Sequence, residues 1–222
     1  MLVKNWMSTP VITIDEAASM QEAIQIMKKN GFRMLPVMKK HQLVGVVTDR
    51  DLKRASASDA TTLEIHELFY LISKIKVRGI MTPDPITIPQ NDTVEEAAQI
   101  LLEHKFSGAP VVTDQNDLVG IITQVDLSRL LLALTGIGKR GIQFAFRLED
   151  RSGSIREVCD IIRDHGGRIV SLLTAYENTP PGYRNVYVRS YDIDREKLKR
   201  LVDLLRTKMS LLYWIDLLRK DK

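Results

Sequence analysis

The chain has 222 residues and a formal charge of +4, with 44% hydrophobic and 27% charged residues, the composition of a globular protein of one large or two small domains. No apolar run reaches the roughly 18–20 residues that span a bilayer, the N-terminus carries Lys4 but no apolar h-region of a secretory signal, and a lone cysteine, Cys159, excludes an internal disulfide framework and fits a reducing cytoplasm. Residues 1–138 hold 14 Lys/Arg against 16 Asp/Glu, and residues 139–222 hold 18 against 12, so the positive charge lies in the C-terminal third.

In chain order, residues 11–14 read as a short strand after a proline turn. Ser19 followed by Glu22 is a capping box that opens a helix. Ala23, Ile24, Met27 and Phe32 mark its buried side, and Asn30-Gly31 ends it. Residues 35–38 and 43–48 read as two strands, and a helix begins near Asp49. The order then returns: a strand at 86–88, a helix capped at Asp92 or Thr93, strands at 109–112 and 118–123, and a helix over 124–134. Between the two sets, the stretch from Asp59 to Lys76 is amphipathic. Leu63, His66, Glu67, Tyr70 and Lys74 form one stripe, and Ile65, Leu68, Phe69, Ile72 and Ile75 a more apolar one, fitting either core cover or a neighbouring subunit.

The return is a sequence repeat about 74 positions apart. Met7-Ser-Thr-Pro-Val-Ile-Thr-Ile14 recurs as Met81-Thr-Pro-Asp-Pro-Ile-Thr-Ile88. Phe32-Arg-Met-Leu-Pro-Val37 recurs as Phe106-Ser-Gly-Ala-Pro-Val111. Leu43-Val-Gly-Val-Val-Thr-Asp-Arg-Asp-Leu52 recurs as Leu118-Val-Gly-Ile-Ile-Thr-Gln-Val-Asp-Leu127, with one residue inserted before Leu118. Each copy alone is too small to bury a good core, so the two should pack about a pseudo-two-fold axis. The repeat duplicates Thr48-x-x-Asp51 as Thr123-x-x-Asp126, a hydroxyl at a strand end and a carboxylate one turn into the next helix. Such a pair can be a helix cap. It also suits a nucleotide, because the helix N-terminus offers N–H groups to phosphate and the carboxylate can accept from ribose hydroxyls.

The doubled Met-x-x-x-x-Ile-Thr, hydrophobe-Pro-Val and Leu-Val-Gly-x-x-Thr-x-x-Asp pattern over residues 1–135 resembles a tandem pair of cystathionine-β-synthase (CBS) domains. The resemblance implies two clefts related by pseudo-symmetry that hold adenosine-containing ligands: AMP, ATP or S-adenosylmethionine, as regulatory ligands and not catalytic cofactors. It implies that Thr48 and Asp51 serve one cleft and Thr123 and Asp126 the other. Ile12-Thr13 and Ile86-Thr87 would meet the base through backbone groups, and Pro36, Val37, Pro110 and Val111 would wall it. Arg33 and Arg50 in the first copy could neutralise phosphate, whereas Ser107 and Val125 stand at those positions in the second.

Residues 135–141, Thr-Gly-Ile-Gly-Lys-Arg-Gly, read as a glycine-rich hinge. Beyond it come a strand at 142–148, a helix at 155–164, a strand at 168–176, a turn at Thr179-Pro-Pro-Gly182, a strand at 185–191, a helix at 194–205 and a strand at 211–217. That β-α-β-β-α-β order is ferredoxin-like. With Glu149-Asp-Arg-Ser-Gly-Ser-Ile155 after the first strand and Gly166-Gly-Arg-Ile169 entering the second, it resembles an ACT domain. That resemblance implies either an amino acid bound at Asp150, Ser152, Gly153, Ser154 and Ile155, or a dimerisation element. Ser152 and Ile155 stand where the family carries Pro and Leu. The whole arrangement is similar to the acetoin-utilisation (AcuB-type) proteins.

The expected fold is therefore mixed α+β and α/β: CBS domain 1 over residues 1–60, a connecting helix at 61–76, CBS domain 2 at 77–135, a hinge at 136–141 and an ACT domain at 142–217. Gly136-x-Gly-x-x-Gly141 follows a helix and precedes a strand, the reverse of a dinucleotide fingerprint. The four histidines are dispersed, so no metal is expected. Cys159 lies among Val158, Ile161 and Ile162 and should be packed. The expectation is a cytoplasmic, non-enzymatic regulator, a homodimer or larger, that answers to a small-molecule effector and acts on an unknown partner without membrane contact. The alternatives are an enzyme with an unrecognised site and a nucleic-acid-binding regulator using the basic C-terminal part. The basic excess at 195–208 is interleaved with leucines at helical spacing, which is the pattern of a solvated helix face.

Overall fold

The computed structural model describes residues 1–59 and 72–217, and the chain divides into two compact units, residues 1–128 and residue 129 onward.

The first unit contains both copies of the repeat. In the first copy, β1 (Ile14–Asp15) runs parallel to β2 (Met34–Lys39), which is antiparallel to β3 (Gln42–Thr48). Helix α1 (Met20–Asn30) lies between β1 and β2, and α2 (Asp49–Asp59) follows β3 directly. Ser19 caps α1 as its sequence indicates: its hydroxyl accepts from the Glu22 N–H, and the Glu22 carboxylate accepts from the Ser19 N–H at 2.6 Å. Gly31, in the left-handed region at φ 68°, ends the helix. The second copy repeats this with β5 (Ile88–Pro89), α3 (Val94–Glu103), β6 (Gly108–Val112), β7 (Leu118–Thr123) and α4 (Gln124–Leu134). Thr93, not Asp92, is the cap of α3, with Glu96 completing the box.

The copies are laced together by exchanged N-terminal segments. Strand β4 (Thr82–Pro83), at the start of the second copy, adds to the first copy's sheet beside β3, giving the order β1-β2-β3-β4. Ser8, at the start of the first copy, bridges to Ile121 on β7 of the second. Val3 donates its N–H to the Asp92 carbonyl, and Val77 donates to that of Ala18; both side chains are fully buried. Two glycines of the repeat are explained by this exchange. A Cβ on Gly45 would lie 2.7 Å from the Met81 sulfur and 2.8 Å from the Thr82 carbonyl oxygen, and a Cβ on Gly120 would collide with the Met7 sulfur. The Met and the Gly of each copy thus recur because each copy's Met packs over the other copy's Gly.

Three sequence expectations change here. The strand placed at 11–14 is confined to Ile14–Asp15, and that at 86–88 to Ile88–Pro89, because only there does the chain meet β2 and β6. Phe32 is 41% exposed, not part of the buried side of α1, because Gly31 turns the chain out of helical phase. Ala23 and Met27 are buried as expected, and Ile24 is packed at the margin of the core. The stripes at 63–75 fall mostly outside the described residues; Ile72 and Ile75 pack on the first copy's core.

In the second unit, β8 (Ile142–Glu149), α5 (Ser154–Asp164), β9 (Arg168–Ala175), β10 (Tyr183–Tyr191), α6 (Leu198–Lys208) and β11 (Leu211–Asp216) form an antiparallel sheet of order β11-β8-β10-β9. This is the ferredoxin-like topology. Alternate residues Ile142, Phe144, Phe146 and Leu148 pack with Val158, Ile162, Leu201 and Leu205 of the two helices. Helix α6 starts four residues later than expected, because the Asp194 side chain accepts from the Glu196 N–H and its carbonyl from the Lys197 N–H, closing a turn first. Its basic residues Lys199, Arg200, Arg206 and Lys208 are exposed while Leu198, Leu201, Val202 and Leu205 are buried, so the excess charge is a solvated face. Cys159 is buried and its thiol is pushed up by desolvation. The stretch at 135–141 packs on this unit: the Thr135 carbonyl accepts from Ser171 Oγ and from Arg189 Nε, and Gly141, at φ 83°, lies against the Ser190 carbonyl.

Candidate functional site

Both Thr-x-x-Asp pairs sit where a strand turns into a helix, and the two are nearly superimposable in their bonding. Asp51 Oδ2 accepts from the Thr48 hydroxyl at 2.6 Å and the Thr48 N–H at 3.0 Å, while the Asp51 N–H donates back to Thr48 Oγ1 at 3.3 Å. In the second copy the corresponding distances are 2.6, 2.9 and 3.2 Å. Each pair is a capping box, so the cap reading holds in both copies. Both carboxylates are nonetheless buried, Asp51 at 7% and Asp126 at 4% exposure, and the cap engages only one oxygen of each.

The second oxygen of each carboxylate also has a partner. Asp51 Oδ1 is held by Arg54 Nη2 at 2.8 Å, a guanidinium whose side chain is 75% exposed. Asp126 Oδ1 accepts from Ser8 Oγ at 3.2 Å, a hydroxyl supplied by the other copy's N-terminal segment. Arg54 and Ser8 are the site neighbours that sequence reasoning missed. Arg54 was legible as the residue three positions after Asp51 on one helix face. Ser8 was not legible, because repetition does not say which copy a segment packs on.

The remaining candidates divide. The Arg33 carbonyl accepts from the Asp49 N–H at 3.0 Å, and Ser107 does the same for Gln124. The loop before each second strand is therefore fastened to the start of the helix that carries the aspartate. Met34 and Gly108 pair in register with Thr48 and Thr123. Arg33 and Arg50 are both exposed, free to meet an anion in solvent, and Val125 at the position of Arg50 is 60% exposed. Ile12 and Ile86 are 38% and 40% exposed, with Thr13 and Thr87 half-buried beside them. Phe32 and Phe106, 41% and 37% exposed, form a second duplicated pair of apolar side chains left in water. Pro36, Val37, Pro110 and Val111 are buried. Val37, with no exposed surface, is part of the first copy's core.

The CBS domain family matches residues 3–58 and 77–133, more than half of the chain and both copies of the repeat.

The chain belongs to the CBS-domain family.

It carries a tandem CBS pair. A CBS domain-containing protein of Dictyostelium discoideum is 32% identical over 59% of this chain and 91% of its own length. The L-aspartate semialdehyde sulfurtransferase of Methanocaldococcus jannaschii is 35% identical over 58% of this chain, but the match spans only 23% of that enzyme; for an inosine-5′-monophosphate dehydrogenase of Korarchaeum cryptofilum the span is 21%. Among solved structures, a CBS domain pair crystallised with 5′-methylthioadenosine and S-adenosyl-L-methionine is similar at a TM-score of 0.51, with 32% identity, covering 59% of this chain and 95% of that one. The CBSX2 protein in complex with AMP is similar at 0.50, with 31% identity over 60% of this chain and 98% of that one. A Vibrio cholerae protein described as a putative acetoin utilization protein shares the fold at 0.53, with 23% identity over 63% of this chain.

In the second unit, the loop at 150–155 is shaped by charge. Arg151 makes a two-pronged pair with Glu157, both contacts 2.8 Å, and lies 3.3 Å from Glu149. These bonds hold the Glu157 carboxyl below the usual carboxylate range. Asp150 pairs with Arg184 at 3.4 Å. Ser154 is buried, donates to the Arg151 carbonyl and accepts from Arg184. Ile155 packs on the core. Gly153 has φ 86°, and a Cβ there would meet nothing within 4 Å; the backbone conformation, not crowding, requires glycine. Beside this loop is a cavity of about 290 Å³. Arg147, Arg151, Lys208, Glu149 and Glu157 line it, with the hydroxyl residues Ser154, Tyr183 and Ser210 and the apolar Leu148 and Met209. Among the described residues no three His, Cys, Asp or Glu side chains gather as a metal site would require. No described helix is long and apolar enough to cross a membrane.

Proposed function

We propose that this protein is a regulatory ligand sensor whose CBS pair binds an adenine nucleotide or related adenosyl ligand, AMP, ATP or S-adenosylmethionine. The observation that carries the reading is the duplicated buried carboxylate. Asp51 and Asp126 each sit at a helix start with one oxygen outside the cap, and each copy also leaves two apolar side chains exposed, Ile12 and Phe32 in the first and Ile86 and Phe106 in the second. The carboxylate accepts from ribose, the helix N-terminus and nearby Arg33, Arg50 and Arg54 meet phosphate, and the exposed apolar side chains cover the base. Relatives solved with AMP and with adenosyl ligands support the reading. The first copy has Arg33 and Arg50 where the second has Ser107 and Val125, so the first cleft takes the phosphorylated ligand. The second, with neither of those two arginines, suits an adenosyl ligand without phosphate.

The second unit, with its ferredoxin-like topology, resembles an ACT domain whose loop keeps Gly153 but carries Ser152 and Ile155 in place of Pro and Leu. It binds an amino acid at 150–155 or pairs with its counterpart in a dimer. The protein has no catalytic role of its own and transmits occupancy to a partner. A thermal-shift screen of adenine nucleotides, S-adenosylmethionine and amino acids tests this: a ligand at ~100 times its Kd stabilises by about 2.7 kcal/mol. A stabilising adenosyl compound is the expected outcome; stabilisation by none of them overturns the reading.

A further inference from the structure

The carboxylate of the second copy is almost closed to solvent, at 4% exposure, but one of its partners is not. Ser8 is exposed, and its hydroxyl lies 3.2 Å from Asp126 Oδ1. The serine is held there by its backbone: its N–H donates to the Ile121 carbonyl at 2.8 Å, and its carbonyl accepts from the Ile121 N–H at 3.1 Å. Residues directly opposite in an antiparallel pair share a face, as do residues two apart on a strand, so Ser8 stands on the same face as Ile121 and Thr123. Thr123 caps Asp126, engaging Oδ2 through its hydroxyl at 2.6 Å, and Ser8 reaches the other oxygen. A carboxylate only accepts, so the contact between them uses the one proton of the serine hydroxyl. Lone pairs remain on Ser8 Oγ, and no described residue donates to them. The accessible atom beside the buried aspartate is therefore an acceptor, which suits a ligand hydroxyl and not a phosphate oxygen.

We propose that Ser8 Oγ contacts the ligand in the second cleft, accepting a hydrogen bond from the 2′ or 3′ hydroxyl of a ribose, and that it sets this cleft's preference for an adenosyl ligand without phosphate beside the aspartate. The proposal rests on the reading of the CBS pair as an adenosyl sensor. It adds that the second copy does not complete its own site: the segment that leads the first copy lends it a ligand-contacting hydroxyl. Thr82 stands at the equivalent register against Val46 on β3, so the repeat places a hydroxyl residue at this point in both copies.

The test is calorimetric titration of the full chain with adenosine, 2′,3′-dideoxyadenosine and AMP, in wild type, Ser8→Ala and Ser8→Thr. Loss of one hydrogen bond predicts adenosine binding roughly two- to tenfold weaker in Ser8→Ala, and restored to within about twofold of wild type in Ser8→Thr. Dideoxyadenosine, which lacks both hydroxyls, should bind wild type and Ser8→Ala equally, and AMP, taken by the first cleft, should bind all three proteins alike. Equal weakening of adenosine and dideoxyadenosine in Ser8→Ala would show that the serine acts on Asp126 or on the exchanged segment and not on the ligand, and overturns the proposal. Adenosine affinity unchanged in Ser8→Ala, adenosine affinity not restored in Ser8→Thr, or AMP weakened as much as adenosine overturns it as well. No adenosine binding in the wild type also overturns it, while the adenosyl reading stands or falls separately on AMP, ATP and S-adenosylmethionine in the thermal-shift screen.

Discussion

At the scale of single residues, the glycine–methionine contacts make a comparison that needs no ligand. An alanine Cβ at position 45 meets the Thr82 backbone oxygen, which is fixed in β4, whereas at position 120 its three nearest neighbours are all side-chain atoms of Met7, the closest being the sulfur and Cγ, which can swing aside. Gly45→Ala should therefore destabilise by about 1–3 kcal/mol, the usual range for overpacking, and Gly120→Ala by less. Urea denaturation should show the larger midpoint shift for Gly45→Ala with an unchanged slope; an equal or larger loss in Gly120→Ala would contradict the exchanged-segment packing. The glycines themselves were legible from the repeat, but their reason was not, since the atoms they avoid come from a segment about 37 residues away in one case and over 100 in the other. Phe32 was misread for a local reason: helical spacing continues through it on paper, but the left-handed Gly31 has already turned the chain.

At the scale of elements, the capping boxes of α1 and α3 were readable from Ser19-x-x-Glu22 and Thr93-x-x-Glu96, because a cap depends on four consecutive residues and not on the fold around them. The Ser19 and Thr93 bonds hold the Glu22 and Glu96 carboxyls below their usual range. A carboxyl with a depressed folded-state pKa stabilises at pH values above its unfolded pKa of about 4.3, and that contribution is lost as pH falls through the folded value. Acidification below about pH 4.3 should therefore loosen the first turns of both helices, read as faster exchange of the Ser19 and Thr93 amides after correction for intrinsic rates. Ser19→Ala should cost about 1 kcal/mol at neutral pH and remove the acid-linked change at α1 alone; acid-linked loosening that persists in Ser19→Ala would show another cause. The Thr-x-x-Asp boxes were equally legible as caps. What the sequence left open was burial, which turns a capping aspartate into a candidate ligand group and is set by packing from both copies.

At the scale of the whole molecule, the repeat and the order of elements in the second unit were visible in the sequence because periodicity and turn chemistry are local. The exchange of N-terminal segments and the cavity at the second unit were not, since both depend on which distant elements meet. The packing of residues 135–141 on the second unit also changes what a dissected protein should contain. A fragment of residues 1–135 keeps α4 whole and should bind the same adenosyl ligand as the full chain; loss of binding in a folded fragment would place second-unit residues in the nucleotide site. Along α4, Val125, Leu131 and Leu132 are more than half exposed. Apolar side chains left in water on this scale favour self-association. Light scattering should therefore give at least twice the 25.2 kDa chain mass, and a monomer at micromolar concentration would contradict it.

The central claim is that the buried aspartates of the CBS pair hold an adenosyl ligand. Calorimetric titration of AMP, ATP and S-adenosylmethionine into the wild-type chain and into Asp51→Ala tests it most directly. Because Asp51 also caps α2, the folded state of the variant is verified by circular dichroism on the same sample. Loss of a charge-assisted hydrogen bond worth roughly 1.5–3 kcal/mol predicts affinity about 10- to 150-fold weaker in the variant for the ligand of the first cleft. Equal affinity in wild type and folded Asp51→Ala, or no binding heat from any of the three compounds, would contradict it.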